Sequence, residues 1–212
     1  MPSLEQARGW YDSADPVHDF DHIQRVYHLA LRIGEQEGGD LEIVKAAALL
    51  HDSRGSAPGV DGQERRAHHL TSADFAGEVL AREGWPPERI EAVQHCIRAH
   101  RFRSTEKPAT IEAQVLFDAD KLDVLGAIGA ARTLAYAALA GQPLYAEPSQ
   151  RFRDSGEKEA GEPHSSYHEY LFKLRWVKDR LYTRAGREIA HDRHAFLMEF
   201  YKRLGEEVRG ER

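Results

Sequence analysis

A histidine and an aspartate stand side by side, His51-Asp52, at the end of the run IVKAAALL (43–50), in which only Lys45 is polar. A helix apolar on most of its faces is buried. Its carboxylate then needs a partner, because an unpaired buried charge is expensive, and a metal ion or a hydrogen-bonded cation would serve. Adjacent helical residues point about 100° apart. Both side chains therefore reach one ion only if the helix ends there and the chain turns, as Gly55, Pro58 and Gly59 predict. The dipeptide alone carries little information, since His18-Asp19 and His191-Asp192 repeat it. Only the middle pair closes an apolar helix with further candidate ligands before and after it. The outer two read as a helix entry and a solvated face.

Metal chemistry needs nitrogen and oxygen ligands converging from separate elements. His22 precedes the apolar face of one helix, and the segment FDADKLD (117–123) sets Asp118, Asp120 and Asp123 among Val115, Leu116, Phe117, Leu122, Val124 and Leu125. Asp120, the middle one, can turn inward while Asp118 and Asp123 bond backbone or orient a histidine. His95 and His100 lie five residues apart, a net rotation of about 140°, so they share no face unless the helix ends between them. Each reads either as a site group or as an ordinary structural or surface histidine. Arg25, one turn on from His22, Arg54, directly after the His-Asp pair, and Lys121, beside Asp120, are placed to neutralise a phosphate, or are surface charges. The run Arg65, Arg66, His68, His69 could meet a polyphosphate tail or be a solvated helix entry.

These groups must be positioned by helices, since no pair of alternating runs joined by a hairpin turn is found. The pattern predicts a short helix over 3–12 capped by Ser3, a helix over about 22–37 with Ile23, Val26, Ala30 and Ile33 on one face, and the buried helix 41–52. A loop over 53–66, a helix over 68–83 starting at Thr71/Ser72, a helix opened by Pro86-Pro87, and a long apolar stretch from Ile111 to Gly141 follow. Residues 142–163, polar with three prolines, read as a long loop that could close on a ligand through Tyr145, Arg151 and Arg153, or simply connect. Two helices, about 164–182 and 184–209, close the chain.

The 212 residues suit one domain, with 30% charged and 41% apolar residues and a net charge of −6. That charge disfavours a non-specific nucleic-acid binder. The one cysteine, Cys96, excludes an internal disulfide and a cysteine-rich metal site. No apolar run approaches the ~20 residues that span a bilayer, and no signal-peptide pattern opens the chain, so a cytoplasmic protein without a membrane partner is expected.

In order, HxxRV at His22–Val26, the apolar helix ending in His51-Asp52, and DADKLDVLGAIGAAR (118–132) resemble the HD-domain metal-dependent phosphohydrolases. The subgroup whose first motif reads like HDFDHIQRV resembles this chain over most of its length, HSSYHEYLFKL and TRAGREIAHDRHAFLMEF included. The resemblance implies an all-α HD-domain helical bundle with additional C-terminal helices, one domain over 1–212: a core over about 18–141, the polar loop 142–163, and terminal helices over 164–209. It implies that His22, His51, Asp52 and Asp120 hold one divalent ion, with Mn²⁺, Fe²⁺, Co²⁺, Ni²⁺, Zn²⁺ or Mg²⁺ compatible with such a donor set. A second ion near His95 and His100 is open. Asp52 would orient the attacking water, Lys121, Arg54 or His95 would take up developing charge, and Arg25, His100 and Arg151 would touch substrate. The implied reaction cleaves a nucleoside triphosphate to monophosphate and pyrophosphate. A nucleoside 5′-monophosphatase and a non-catalytic nucleotide sensor are the alternatives. A homo-oligomer is possible, and no stable nucleic-acid partner is expected.

Overall fold

In this computed structural model, which describes residues 1–11, 20–54, 64–102 and 105–212 (64–67 by backbone alone), the described elements are helical and include no strand. The turn residues Gly55, Pro58 and Gly59, and the first pair, His18-Asp19, lie outside the described residues. The chain gathers into two compact units. One holds Met1–Asp120 with Leu181–Gly186, the other Lys121–Arg180 with Arg187–Arg212.

In the first unit, α1 (Leu4–Arg8) is shorter than the expected 3–12. Ser3 caps it, and Gln6 reaches back to the Ser3 N–H to close a capping box. Helix α2 (Phe20–Glu37) buries Ile23, Val26, Ala30 and Ile33 completely, as the spacing predicts. Helix α3 (Leu41–Leu50) is capped by Asp40, which accepts from the Glu42 and Ile43 N–H groups and is gripped by both arms of the Arg89 guanidinium. Gly34 lets α2 approach α3. A Cβ there would stand 3.1 Å from Leu41 Cδ2, tighter than ordinary contact.

Helix α4 (Glu64–Arg82) begins earlier than the sequence suggests. Thr71 and Ser72 sit inside it instead of capping it. The Ser72 hydroxyl accepts from the Arg54 N–H at 3.1 Å, tying the chain just after the His-Asp pair to α4. Helix α5 (Pro87–Ala99) packs on α4, where the Gln94 amide donates to the Ala73 carbonyl across the bare face of Gly77. Helix α6 (Ile111–Leu122) carries the aspartate cluster. The long apolar stretch to Gly141 forms two helices: past the end of α6, Gly126 takes a left-handed conformation (φ +69°) that turns the chain into α7 (Gly126–Leu139). Three residues on, a Cβ at Gly129 would fall 2.1 Å from the Val124 carbonyl oxygen, so the turn tolerates no side chain.

The second unit contains α7 and the segment expected as loop 142–163. Inside that segment Ser149 caps a short helix α8 (Gln150–Ser155), which left-handed Gly156 stops. In place of a helix over 164–182 there is α9 (Ser166–Phe172), then a 3₁₀ segment, Leu174–Arg180. Helix α10 (Arg184–Val208) closes the chain, with Leu197 and Tyr201 buried and the His191-Asp192 pair exposed, as a solvated face. Among the described residues no single helix is long and apolar enough to cross a membrane, although α6 and α7 taken together, broken between them, reach the length and composition.

Candidate metal centre

The buried end of α3 is the focus of the first unit. Leu49 and Leu50 have at most 1% of their surface exposed, and His51 follows with none. The His51 Nδ1–H donates to the Ala48 carbonyl at 2.9 Å. A carbonyl can only accept, so the ring proton is fixed on Nδ1 and the Nε2 lone pair is left outward. That Nε2 is buried and has no hydrogen-bond partner. A buried lone pair with nothing to accept from is what a metal ligand looks like before the metal.

Three side chains surround it. His22, from the first turn of α2, is 2% exposed, and its ring lies 5.6 Å from that of His51, edge to face. Asp52 follows on the chain, its Oδ2 3.6 Å from His51 Nε2. Asp120, from the last turns of α6, brings Oδ1 to 3.5 Å from His22 Nε2. One atom each of His22, His51 and Asp52 lie within 4.8 Å of one another. Ligand bonds of about 2.1 Å to a divalent ion would need only small rotations from there, so the donor set fits such an ion. Three of the four expected ligands, His22, His51 and Asp52, thus come together, and Asp120 adjoins them at His22.

A second group adjoins the first through Asp52. His100 caps the end of α5, and its Nδ1–H donates to the Ile97 carbonyl at 2.6 Å, so its Nε2 also presents a lone pair. Its Nε2 is 3.5 Å from Asp52 Oδ1, and His68 of α4 puts Nε2 at 3.2 Å from the same oxygen. That oxygen, like His51 Nε2, is buried without a formed hydrogen bond. Asp52, His68 and His100 offer ligand atoms within 4.8 Å of one another.

The electrostatics suit a cation. Burial pushes the His51 imidazole down to about 4, so it is neutral near pH 7. Burial works to raise Asp52, but the facing His51, His100 and His68 outweigh it and hold the carboxyl well below its usual range. A neutral imidazole beside an ionised carboxylate is the protonation state a divalent ion requires. Tyr11 braces the site from below. Its hydroxyl donates at 2.8 Å to the Leu49 carbonyl, in the last turn of α3.

His95 joins a clasp in place of the site. Its Nδ1 meets Glu106 Oε1 at 2.5 Å, its Nε2 accepts from the Ala109 N–H at 3.1 Å, and Arg98 holds the same glutamate. The net rotation between His95 and His100 is resolved because α5 ends at Ala99, letting His100 turn inward. Arg54 lays its guanidinium 3.4 Å over the Phe75 ring. Arg25 lies one turn beyond His22 on α2. Lys121 follows Asp120 on α6, and Arg151, in the second unit, pairs with Glu157 at 2.5 Å. Asp118 takes up backbone, as one of the two expected roles. It accepts from the N–H groups of Tyr182 and Thr183 and from the Thr183 hydroxyl. Asp123 pairs with Arg132.

Sequence reasoning placed His68 only in a basic run and gave Tyr11 no part in the site. His68 carried a signal, a histidine in the helix that follows the His-Asp turn. Tyr11 carried none.

The architecture is all-helical with a buried cluster of histidines and aspartates that could hold a metal ion, and comparison with known proteins names the family. The family model described as HD domain matches residues 19–125, a span that includes His22, His51, Asp52 and Asp120. The chain belongs to the HD-domain family. It is 33% identical to the uncharacterised protein YpgQ of Bacillus subtilis over 99% of this chain and 96% of that one. The crystal structure of YpgQ in complex with ADP superposes with a TM-score of 0.74 at 32% identity, covering 98% of this chain and 99% of that one. An HD-superfamily hydrolase from Bacillus thuringiensis superposes with a TM-score of 0.69 at 28% identity, over 97% and 94% of the two chains. A predicted HD-superfamily hydrolase from an uncultured Thermotogales bacterium gives 0.64 at 26% identity, over 97% and 90%.

Proposed function

We propose that this protein is a divalent-metal-dependent phosphohydrolase of nucleotides, cleaving nucleoside triphosphates to monophosphate and pyrophosphate. The observation that carries the reading is the outward, unpartnered Nε2 of His51, set among His22, Asp52 and Asp120. The ADP complex of YpgQ supports the choice of a nucleotide, and the likeness extends over nearly the whole chain, so the function is assigned to residues 1–212 as one working domain.

His22, His51, Asp52 and Asp120 would hold the ion. When bound, a divalent ion supplies Lewis acidity, acidifying water and drawing electron density from a phosphoryl oxygen. The helix-end carbonyl of Ala48 keeps His51 in the tautomer that can ligate. Asp52 is ionised and can orient an attacking water by accepting its proton in a hydrogen bond. His68 and His100, both facing Asp52 Oδ1, can serve a substrate phosphate or a second ion. Arg54 and Lys121, next on the chain after Asp52 and Asp120, are the cations proposed to take up developing charge, and Arg25 is proposed to touch substrate. The protein works, in this reading, in the cytoplasm on a small phosphorylated molecule.

The test is a panel assay of the purified protein with Mn²⁺, Mg²⁺, Co²⁺ and Ni²⁺ against nucleoside tri-, di- and monophosphates, separating pyrophosphate from orthophosphate. Metal-dependent pyrophosphate release, lost in His51→Ala and Asp52→Ala, is the expected result. Orthophosphate from monophosphates would replace it with the nucleotidase reading. Metal binding through those residues with no turnover on any substrate would leave a sensor.

A further inference from the structure

The second unit contains a cavity of about 320 Å³ that the metal chemistry does not use. One wall is a ladder of tyrosine rings. Tyr145 stacks on Tyr167 at 4.9 Å with the planes 19° apart, Tyr167 lies near-parallel to Tyr170 at 6.0 Å, and Tyr170 stacks on Tyr201 at 4.6 Å. Tyr170 and Tyr201 are buried, while Tyr145 and Tyr167 are only partly covered. The floor passes Gly205 of α10, where a Cβ would stand 3.1 Å from the Tyr145 hydroxyl and 3.2 Å from Arg209 Nη1. Any side chain there would fill the cavity.

Leu171 and Met198 add apolar surface, and the charged residues of the lining are positive on balance. Arg175, Lys202 and Arg209 face Glu206, the one acidic residue among those lining the cavity. The Arg175 Nε is buried with no hydrogen-bond partner. Lys202 is 64% exposed, and both carboxylates near it, Glu199 and Glu206, stand off at 3.9 Å. Arg209 forks onto Glu211 through Nε and Nη2, at 2.8 Å each. An unmet guanidinium donor and a loosely held ammonium beside parallel aromatic faces match one kind of ligand. Flat rings stack on tyrosine, and arginine and lysine take phosphate or carboxylate. The volume is that of a small-molecule pocket, roughly 300–1,000 Å³.

We propose that the second unit carries a binding site of its own for a flat aromatic molecule bearing an anionic group. The ring slides against Tyr145 and Tyr167, and the anion rests between Arg175 and Lys202. The site is independent of the reaction proposed above and would persist if that reading failed.

The experiment is photo-crosslinking of the full chain with 8-azido-AMP, a flat anionic probe, followed by peptide mapping. Competitors are AMP, indole-3-carboxylate, adenosine and ribose 5-phosphate. Label is expected on peptides containing Tyr145, Tyr167 or Tyr201, displaced by AMP but not by adenosine or ribose 5-phosphate at equal concentration. Displacement by indole-3-carboxylate as well would mark a site for aromatic anions in general. Displacement by AMP alone would mark one for nucleotides. Tyr167→Leu removes a stacking ring, and Lys202→Glu reverses an exposed charge that the fold does not need. Each should cut the labelling about five- to tenfold, with unchanged melting temperature. Label confined to peptides from residues 20–120 would overturn the proposal. So would displacement by adenosine equal to that by AMP, or labelling indifferent to both substitutions.

Discussion

His51 gives its Nδ1–H to the carbonyl of Ala48, three residues back in its own helix. The last carbonyls of any helix lack intrahelical donors, and here one of them orients a ring. His100 does the same at the end of α5 with the carbonyl of Ile97. Two helix ends thus present Nε2 lone pairs toward Asp52 without any side chain spent on orienting them. The two rings lie edge to face with centroids 5.2 Å apart.

Ligand removal is the first consequence. Losing an outer partner of a metal ligand costs about 10- to 100-fold in affinity. His51→Ala and Asp52→Ala remove proposed ligands outright, and Mn²⁺ affinity should fall by more than about 100-fold. Isothermal titration with Mn²⁺ measures this, and circular dichroism should show the helices retained. Unaltered affinity in either variant would refute the assignment.

The second group makes a separate claim about stoichiometry. If Asp52 bridges, saturating Mn²⁺ should load two ions per chain, and His68→Ala or His100→Ala should load one. Inductively coupled plasma analysis of dialysed protein counts them. One ion in the parent protein and in both variants would instead give His68 and His100 to the substrate, and the Michaelis constant should then rise in each variant.

What was legible in the chain followed from scarcity. Carboxylates are rare in apolar runs, so Asp52 and the aspartates of 118–123 were candidates from the residues alone; the set His22, His51, Asp52 and Asp120 came from the family resemblance, and helical periodicity located the buried faces of α2, α3 and α5. Groups whose role depends on which helices become neighbours were not legible. His68 reaches Asp52 only because α4 packs beside the end of α3, and His95 is spent on Glu106, eleven residues away, a pairing that no helical spacing implies. The break between α6 and α7 was hidden for a different reason. It falls within a run of Val, Leu, Ala and Ile from Val124 onward that shows no turn former but glycine, and only the left-handed Gly126 and the crowding at Gly129 reveal it.

Asp118 tests the claim that one aspartate of the cluster is structural. It is fully buried, and it accepts from two backbone N–H groups and a hydroxyl, at 2.9, 2.7 and 2.6 Å, at the start of α10. Hydrogen bonds to a charged acceptor contribute about 1.5–3 kcal/mol each, and donors left buried without a partner add to the loss. Asp118→Ala should therefore destabilise the protein by about 3 kcal/mol or more in urea unfolding. Under folding conditions its Mn²⁺ affinity should stay near that of the parent. A loss of affinity as large as that of Asp52→Ala would make Asp118 part of the site.

The last prediction concerns acid stability of the second unit. Glu162 is 8% exposed and anchors the segment before α9. Burial works to raise its carboxyl, but the Ser149 N–H, the His168 ring, the Ser149 hydroxyl and the Glu159 N–H outweigh it and hold the pKa down at about 2, against an ordinary 4.5. A folded-state pKa below the unfolded one means that the unfolded chain binds the proton more readily. The stabilisation is then complete above about pH 4.5 and is lost as pH falls towards 2. His168 has its other nitrogen against the Ser165 hydroxyl at 2.8 Å, which leaves Nε2 to donate to the glutamate. Glu162→Gln removes the titrating group but keeps the shape. Its melting temperature should lie below that of the parent at pH 7, and the gap should narrow as the pH is lowered from 5 to 3. A constant gap across that range would show that Glu162 contributes through packing and not through its charge.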